Sequence, residues 1–326
     1  MSALGFFGQT ICAIGVFDGL HLGHQCLLEQ AKRQAVAEGL PLMVVTFNQD
    51  PDEVLFPGKA AYKLLSDDER LTRLSLSDYG GARLVKSKAT EVAPSGNKRI
   101  VLALPFDEQL AALTPEDFLD HVLAEHCIPR GIHVGADFRF GYKASGNVGT
   151  LEEWASAHDA AAFGHRLLDD GGKPISATRI RGSLATGNLE EANRLLTRPH
   201  HVFGQVIRGR GFGQTVGFPT ANISLSEQVI QPADGVYAGF FEVAGELWPT
   251  AVAVGVPLTF EGVDATIEAY VLDYEGDLYD LEVTIYFIER LRPMMAFGSI
   301  SELTAQISRD VKRTRQITDA ARGMLD

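Results

Sequence analysis

The hydrophobic pattern of this chain changes character near residue 185, and that break limits the fold more than any other feature. Before it, apolar runs of strand length alternate with segments of helical spacing. ICAIGVF at 11–17 precedes residues 24–37, where Leu27, Leu28, Ala31 and Ala35 recur with helical period, and LMVVTF at 42–47 has the β-branched content of a buried parallel strand. GIHVGADF at 131–138 follows TPEDFLDHVLAEH, whose Thr114-Pro115 reads as an N-cap with proline in the first turn. Such alternation predicts a doubly wound parallel α/β sheet. After helix-like residues 188–196 and Pro199, short β-rich runs at 202–207, 236–243, 248–254, 265–273 and 281–288 predict a small antiparallel β-barrel. Residues 299–316 restore helical period behind a Ser299 cap.

At 326 residues the chain exceeds the size at which one core keeps growing, so two domains are expected, 1–186 and 187–326. A formal net charge of −13 argues against a general nucleic-acid binder, which needs a broad basic surface. No run is long enough to span a bilayer and no leader opens the chain, so the expectation is a cytoplasmic protein without a membrane partner. Cys12, Cys26 and Cys127 have no metal-ligand spacing and read as reduced core residues, which leaves an oxygen-bound metal such as Mg²⁺ as the expected type. The oligomeric state is open, weak self-association included.

Two segments carry chemistry. Phe17-Asp18-Gly19-Leu20-His21-Leu22-Gly23-His24 places two histidines three residues apart at the start of a helix that follows a buried strand. There both rings lie beside the positive helix end, where phosphates are favoured, and Gly23 removes a side chain between them. The second is VIRGRGFGQTVGFPTAN at 206–222. Gly209, Gly211, Gly213 and Gly217 let main-chain N–H groups approach an anion, and Arg208 and Arg210 add charge. Thr220 and Asn222, two apart on an extended segment, point the same way and can reach one hard cation also held by ATP phosphates. In TIEAYVLD, Thr266, Glu268 and Tyr270 share one face of a strand whose other face is apolar.

The GFPTAN segment resembles the signature of riboflavin kinases, and His21-Leu22-Gly23-His24 resembles the HxGH motif of nucleotidyltransferases. Ile175-Ser176-Ala177-Thr178-Arg179-Ile180-Arg181 is similar to the ISSTRIR motif that closes over the triphosphate, and Gly135-Ala136-Asp137-Phe138-Arg139-Phe140 to a flavin loop. Nearly the whole chain thus resembles the bacterial bifunctional riboflavin kinase/FAD synthetases. The resemblance implies phosphorylation of riboflavin by ATP to FMN and ADP, then adenylylation of FMN by ATP to FAD and pyrophosphate, with Mg²⁺ as the metal. It implies catalytic roles for Glu268, as base, and for His21 and His24. It implies ATP contacts from Gly15, Phe17, Asp18, Gly23, Ser176, Thr178, Arg179, Arg181, Gly209, Gly211, Gly213, Gly217, Thr220 and Asn222, the last two holding the metal. Phe47, Asp50, Asp137, Phe138, Phe140, Arg292, Phe297 and Arg315 are implied at the flavin.

Three departures stand out. The family's FxPHP appears as Phe47-Asn48-Gln49-Asp50-Pro51, which puts an acid near the incoming FMN phosphate. GxNPTF appears as Gly255-Val256-Pro257-Leu258-Thr259-Phe260, and KSKATEVAPSGNK at 86–98 reads as an insertion dispensable for chemistry. The rival readings are a kinase with a weakened adenylyltransferase half, and a flavin or nucleotide sensor without turnover.

Overall fold

The structure, a computed structural model, describes residues 6–58, 62–76, 82–85, 99–209, 212–225, 229–255 and 266–324. The 86–98 segment, Arg210, Gly211 and residues 256–260 lie outside the described residues. The chain forms two compact units, 1–61 with 65–176, and 62–64 with 177–326.

In the first unit the order is β1 (Gln9–Ile14), α1 (Leu22–Glu38), β2 (Leu42–Phe47), α2 (Pro51–Leu55), α3 (Asp67–Leu76), β3 (Ala82–Val85) and β4 (Arg99–Leu104). There follow α4 (Glu108–Ala111), α5 (Pro115–Phe118), β5 (Ile128–Gly135), α6 (Val148–Ala157), β6 (Ala161–His165) and a small hairpin of β7 (Asp169–Asp170) and β8 (Lys173–Pro174). Six parallel strands form one sheet in the order β3-β4-β2-β1-β5-β6. β2 and β4 are buried at every position, as a parallel strand covered on both faces must be. Alternate residues feed two cores: Cys12, Ile14, Met43 and Val45 pack toward Trp154 of α6, while Ile11, Ala13, Leu42 and Val44 pack on Leu27, Leu28, Ala31 and Ala35 of α1. Thr114 caps α5 by accepting the Asp117 N–H at 3.1 Å. The helix expected to continue to residue 126 instead widens over Leu119–Leu123, where the Ala124 N–H reaches the Leu119 carbonyl.

The second unit begins with α7 (Ala177–Thr186) and α8 (Leu189–Leu196), then β9 (His200–Ile207), α9 (Phe212–Thr215), β10 (Ala221–Leu225), β11 (Gly235–Val243), β12 (Glu246–Gly255), β13 (Thr266–Val271), β14 (Glu282–Arg292) and α10 (Ile300–Ala321). The strands close into an antiparallel barrel ordered β10-β13-β12-β11-β14-β9. Five of them correspond to the β-rich runs of the sequence. The sixth, β10, grows out of the Thr-Ala-Asn segment itself, too short and polar to read as a barrel strand from its composition. Ser299 caps α10 through the Glu302 N–H at 3.2 Å.

Candidate functional sites

Strand order turns outward on both sides of β1, so the crevice at the carboxyl ends of β1 and β5 is the switch point where α/β sheets bind ligands. Gly15, Phe17, Asp18, His21, Gly23 and His24 follow β1, Phe47 and Asp50 end or follow β2, and Asp137, Phe138 and Phe140 follow β5. Phe17 (φ 59°), Gly19 (φ 75°) and Leu20 (φ 44°) turn the chain sharply, the two non-glycine residues in a strained conformation. Buried Asp18 anchors the turn by accepting the Leu65 N–H.

His21 is the N-cap of α1, its Nδ1 accepting the His24 N–H at 3.3 Å, which leaves Nε2 as its donating nitrogen. The His21 and His24 rings stack with centroids 3.7 Å apart, and Phe17 meets His24 edge-on at 5.4 Å. A Cβ on Gly23 would lie 3.2 Å from the His21 ring and 3.4 Å from the Ile175 carbonyl, so the start of the Ile175–Arg181 motif sits against the histidine turn. Burial, then the neighbouring His21, holds the His24 pKa well below the ordinary histidine value, and its Nδ1 is buried without a partner. His24 is therefore neutral at pH 7.

Around this pair, Asp50 caps α2 by accepting the Asp52 N–H at 2.9 Å, while Gln49 bonds the Phe106 carbonyl and Asn48 the Phe106 N–H. The departure from FxPHP thus leaves three side chains that build the loop. Phe47 packs edge-on against Phe106, Asp137 is exposed, and half-buried Phe138 stacks on Phe140, which lies in the core against Phe118. Ser176 ends the first unit. In the second, the Arg179 guanidinium bonds Glu191 at 2.5 Å and Arg181 reaches the Thr178 hydroxyl at 3.5 Å. Glu191, whose pKa is lowered by the Ser183 hydroxyl and by Arg179, escaped the sequence reading because it acts from the next helix.

On the barrel, the Thr220 hydroxyl donates to Glu268 at 3.3 Å, and Asn222 pairs with Glu268 across β10 and β13. Glu268 stands on the outer face, while Ile267, Ala269 and Val271 fill the interior. The glycine-rich loop is built against this group: a Cβ on Gly209 would fall 2.0 Å from the Asn222 amide nitrogen, and one on Gly213 2.3 Å from the Phe218 carbonyl. Gly217 adopts φ 84°, closed to most residues. Arg208 lies over the Tyr279 ring at 4.6 Å. Arg292 pairs with buried Asp310 at 2.9 Å and lies 5.7 Å from the Phe297 ring, whereas Arg315 forks onto Asp273 at 2.5 and 2.7 Å beside Trp248. Gly255 adopts φ 115°, and a Cβ there would fall 2.4 Å from the Asp234 carboxyl carbon.

Two sites of this kind, each on its own unit, put the chain among ATP-using transferases that join a nucleotidyltransferase to a small-molecule kinase. Family models of FAD synthetase and riboflavin kinase match residues 6–179 and 196–318 respectively. The chain belongs to the bifunctional riboflavin kinase/FMN adenylyltransferase family. Members of that name from Listeria monocytogenes and Escherichia coli K12 are each 34% identical to it, over 94% of this chain and 92% of theirs. A crystal structure described as a macrolide-efflux protein from Streptococcus pneumoniae is 30% identical, with a TM-score of 0.77 over 97% of this chain and 95% of that one. Among the described residues of this chain, no helix is long and apolar enough to cross a membrane.

Proposed function

We propose that the barrel transfers the γ-phosphoryl group of ATP to the ribityl 5′-hydroxyl of riboflavin, giving FMN and ADP. The α/β unit then joins FMN to a second ATP, giving FAD and pyrophosphate. The functional halves are residues 1–186 and 187–326. The observation that carries the reading is the meeting of Thr220, Asn222 and Glu268: the Thr220 hydroxyl bonds Glu268 from 48 residues away, and Asn222 is the register partner of Glu268 on the neighbouring strand. A carboxylate beside two neutral oxygens is what phosphorylating an alcohol needs. Glu268 takes the hydroxyl proton as oxygen bonds to phosphorus and the bond to ADP breaks.

Thr220 donates its proton to Glu268, so its oxygen lone pairs remain for a cation. With the Asn222 amide oxygen it makes a hard donor set that fits magnesium. Among the described residues no group of three or more His, Cys, Asp or Glu would hold a metal, so nucleotide phosphates would complete the shell. Magnesium, when bound, would neutralise phosphate charge. In the first unit His21 and His24 act as N–H donors to the α-phosphate, where charge grows as an FMN phosphate oxygen attacks and pyrophosphate leaves. The enzyme is placed in the cytosol on the wide spacing of Cys12, Cys26 and Cys127 in the sequence.

The test is a chromatographic assay of Glu268→Ala with riboflavin or FMN and Mg-ATP. FMN formation should vanish while supplied FMN still becomes FAD. Equal loss of both activities in a folded variant would defeat the assignment, and tight flavin binding without product by the parent chain would favour the sensor.

A further inference from the structure

We propose that Arg70 is a positioning residue for adenylyl transfer, locking together the two loops that leave the carboxyl ends of β1 and β2. The inference rests on the adenylylation reading of the His21–His24 turn. Arg70 lies on α3, between the flavin and nucleotide motifs in sequence and part of neither, yet it is only 2% exposed. One Nη1 donates to the Val16 carbonyl at 3.0 Å and to the Thr46 hydroxyl at 2.8 Å, and Nη2 donates to the Phe47 carbonyl at 2.8 Å and to Asp67 at 2.9 Å. All four Nη hydrogens are thereby used, and Thr46 itself donates to the same Val16 carbonyl at 3.2 Å.

The placement follows from where the sheet ends. β1 stops at Ile14 and β2 at Phe47, so the Val16 and Phe47 carbonyls stand at or beyond the limit of the ladder. A buried carbonyl without a donor is costly, and here one planar guanidinium satisfies both. It does so immediately before Phe17 in one loop and Asn48 in the other. The turn that stacks His21 on His24 and the loop that carries Asp50 are thus referred to a single rigid group, and a shift of either relative to the other must break one of its bonds. Catalysis by positioned donors is steep in such shifts: a displacement of about 1 Å can lower the rate roughly a hundredfold. A carboxylate partner alone would have needed no fork; Asp67 neutralises the charge, and the other three bonds are spent on geometry.

The experiment is steady-state adenylylation of FMN by the full chain, with riboflavin phosphorylation by the same sample as reference. Arg70→Lys keeps the charge and loses the fork. Its KM for FMN and for ATP should both rise and kcat/KM should fall by about a hundredfold, with phosphorylation unchanged. Arg70→Ala that melts cooperatively should regain adenylylation in millimolar guanidinium chloride and not in potassium chloride of equal ionic strength, with its melting temperature unchanged by the guanidinium, so that the gain lies in geometry and not in stability. His24→Ala is assayed alongside. Parent-like kinetics in Arg70→Lys with loss in His24→Ala overturn the role of Arg70 and leave the site standing. Parent-like kinetics in both overturn the site and the role together. A loss in folded Arg70→Ala that guanidinium does not restore, or one shared equally with phosphorylation, also overturns the role.

Discussion

Two glycines show what single positions decide. A Cβ at Gly23 would press on the His21 ring at 3.2 Å, and one at Gly209 would displace the Asn222 amide, 2.0 Å away. Neither residue has a positive φ, so the cost of alanine there is paid by the neighbouring functional group rather than by the backbone. Gly23→Ala should lower FAD formation about tenfold, or ~1.4 kcal/mol of transition-state stabilisation, and spare FMN formation; Gly209→Ala should do the reverse. Separate assays with riboflavin and with FMN check both, and a matched fall in the two activities would contradict the assignment of one glycine to each site. The packing of Gly23 against the histidines was legible because it is local, the glycine lying between two histidines at helical spacing. Arg70 was not, since its acceptors Val16 and Phe47 lie 54 and 23 residues back and nothing near it in sequence announces them. Glu191 was hidden for the same reason, although the helix that carries it was expected.

At the level of elements, the strands were legible where burial dictates composition and the loops were not. β2 reads as a continuous apolar run because both its faces are covered, whereas β10 is a barrel strand made of Ala, Asn, Ile, Ser and Leu. α3 went unread although Ser66-Asp67-Asp68-Glu69 is a helix-start signature, with the Ser66 hydroxyl accepting the Glu69 N–H at 3.2 Å. The Asp277–Asp280 turn holds Asp280 at φ 63°, in the left-handed region, and it places Tyr279 under Arg208. The loop after β2 offers the sharpest test at this scale, because Asp50 serves α2 as a cap while standing near the proposed path of the FMN phosphate. Asparagine caps a helix as well as aspartate does. Asp50→Asn should therefore leave thermal stability unchanged and lower the KM for FMN roughly two- to fivefold by removing a repelling charge. Asp50→Ala should lose about 1 kcal/mol at the cap. A KM unaltered in Asp50→Asn would mean that the carboxylate lies off that path.

Across the whole molecule, acid should separate the two units. Four histidines whose pKa values are held low, His24, His126, His133 and His165, lie in the first unit, and burial is the leading cause in each. His133 is pushed to about 4 by burial and then by His165, which meets it at 2.8 Å; its other nitrogen bonds Gln34 of α1 at 2.7 Å. Because these pKa values are depressed on folding, the unfolded chain binds more protons below its own histidine value of about 6.5, so stability is full above that pH and falls as pH drops. For His133 alone the window runs from about 6.5 to about 4, and the loss approaches 3 kcal/mol at its lower end. That is a large part of the 5–15 kcal/mol typical of a folded domain. On mild acidification the melting of the first unit should therefore move to lower temperature than that of the barrel, splitting the calorimetric transition near pH 5, and FAD formation should be inactivated by brief incubation there before FMN formation is. His133→Gln, neutral at every pH and able to hydrogen-bond at the same place, should narrow the gap between the two transitions. A single transition that shifts uniformly with pH, or a split that His133→Gln leaves unchanged, would place the acid sensitivity elsewhere than in the buried histidines of the sheet.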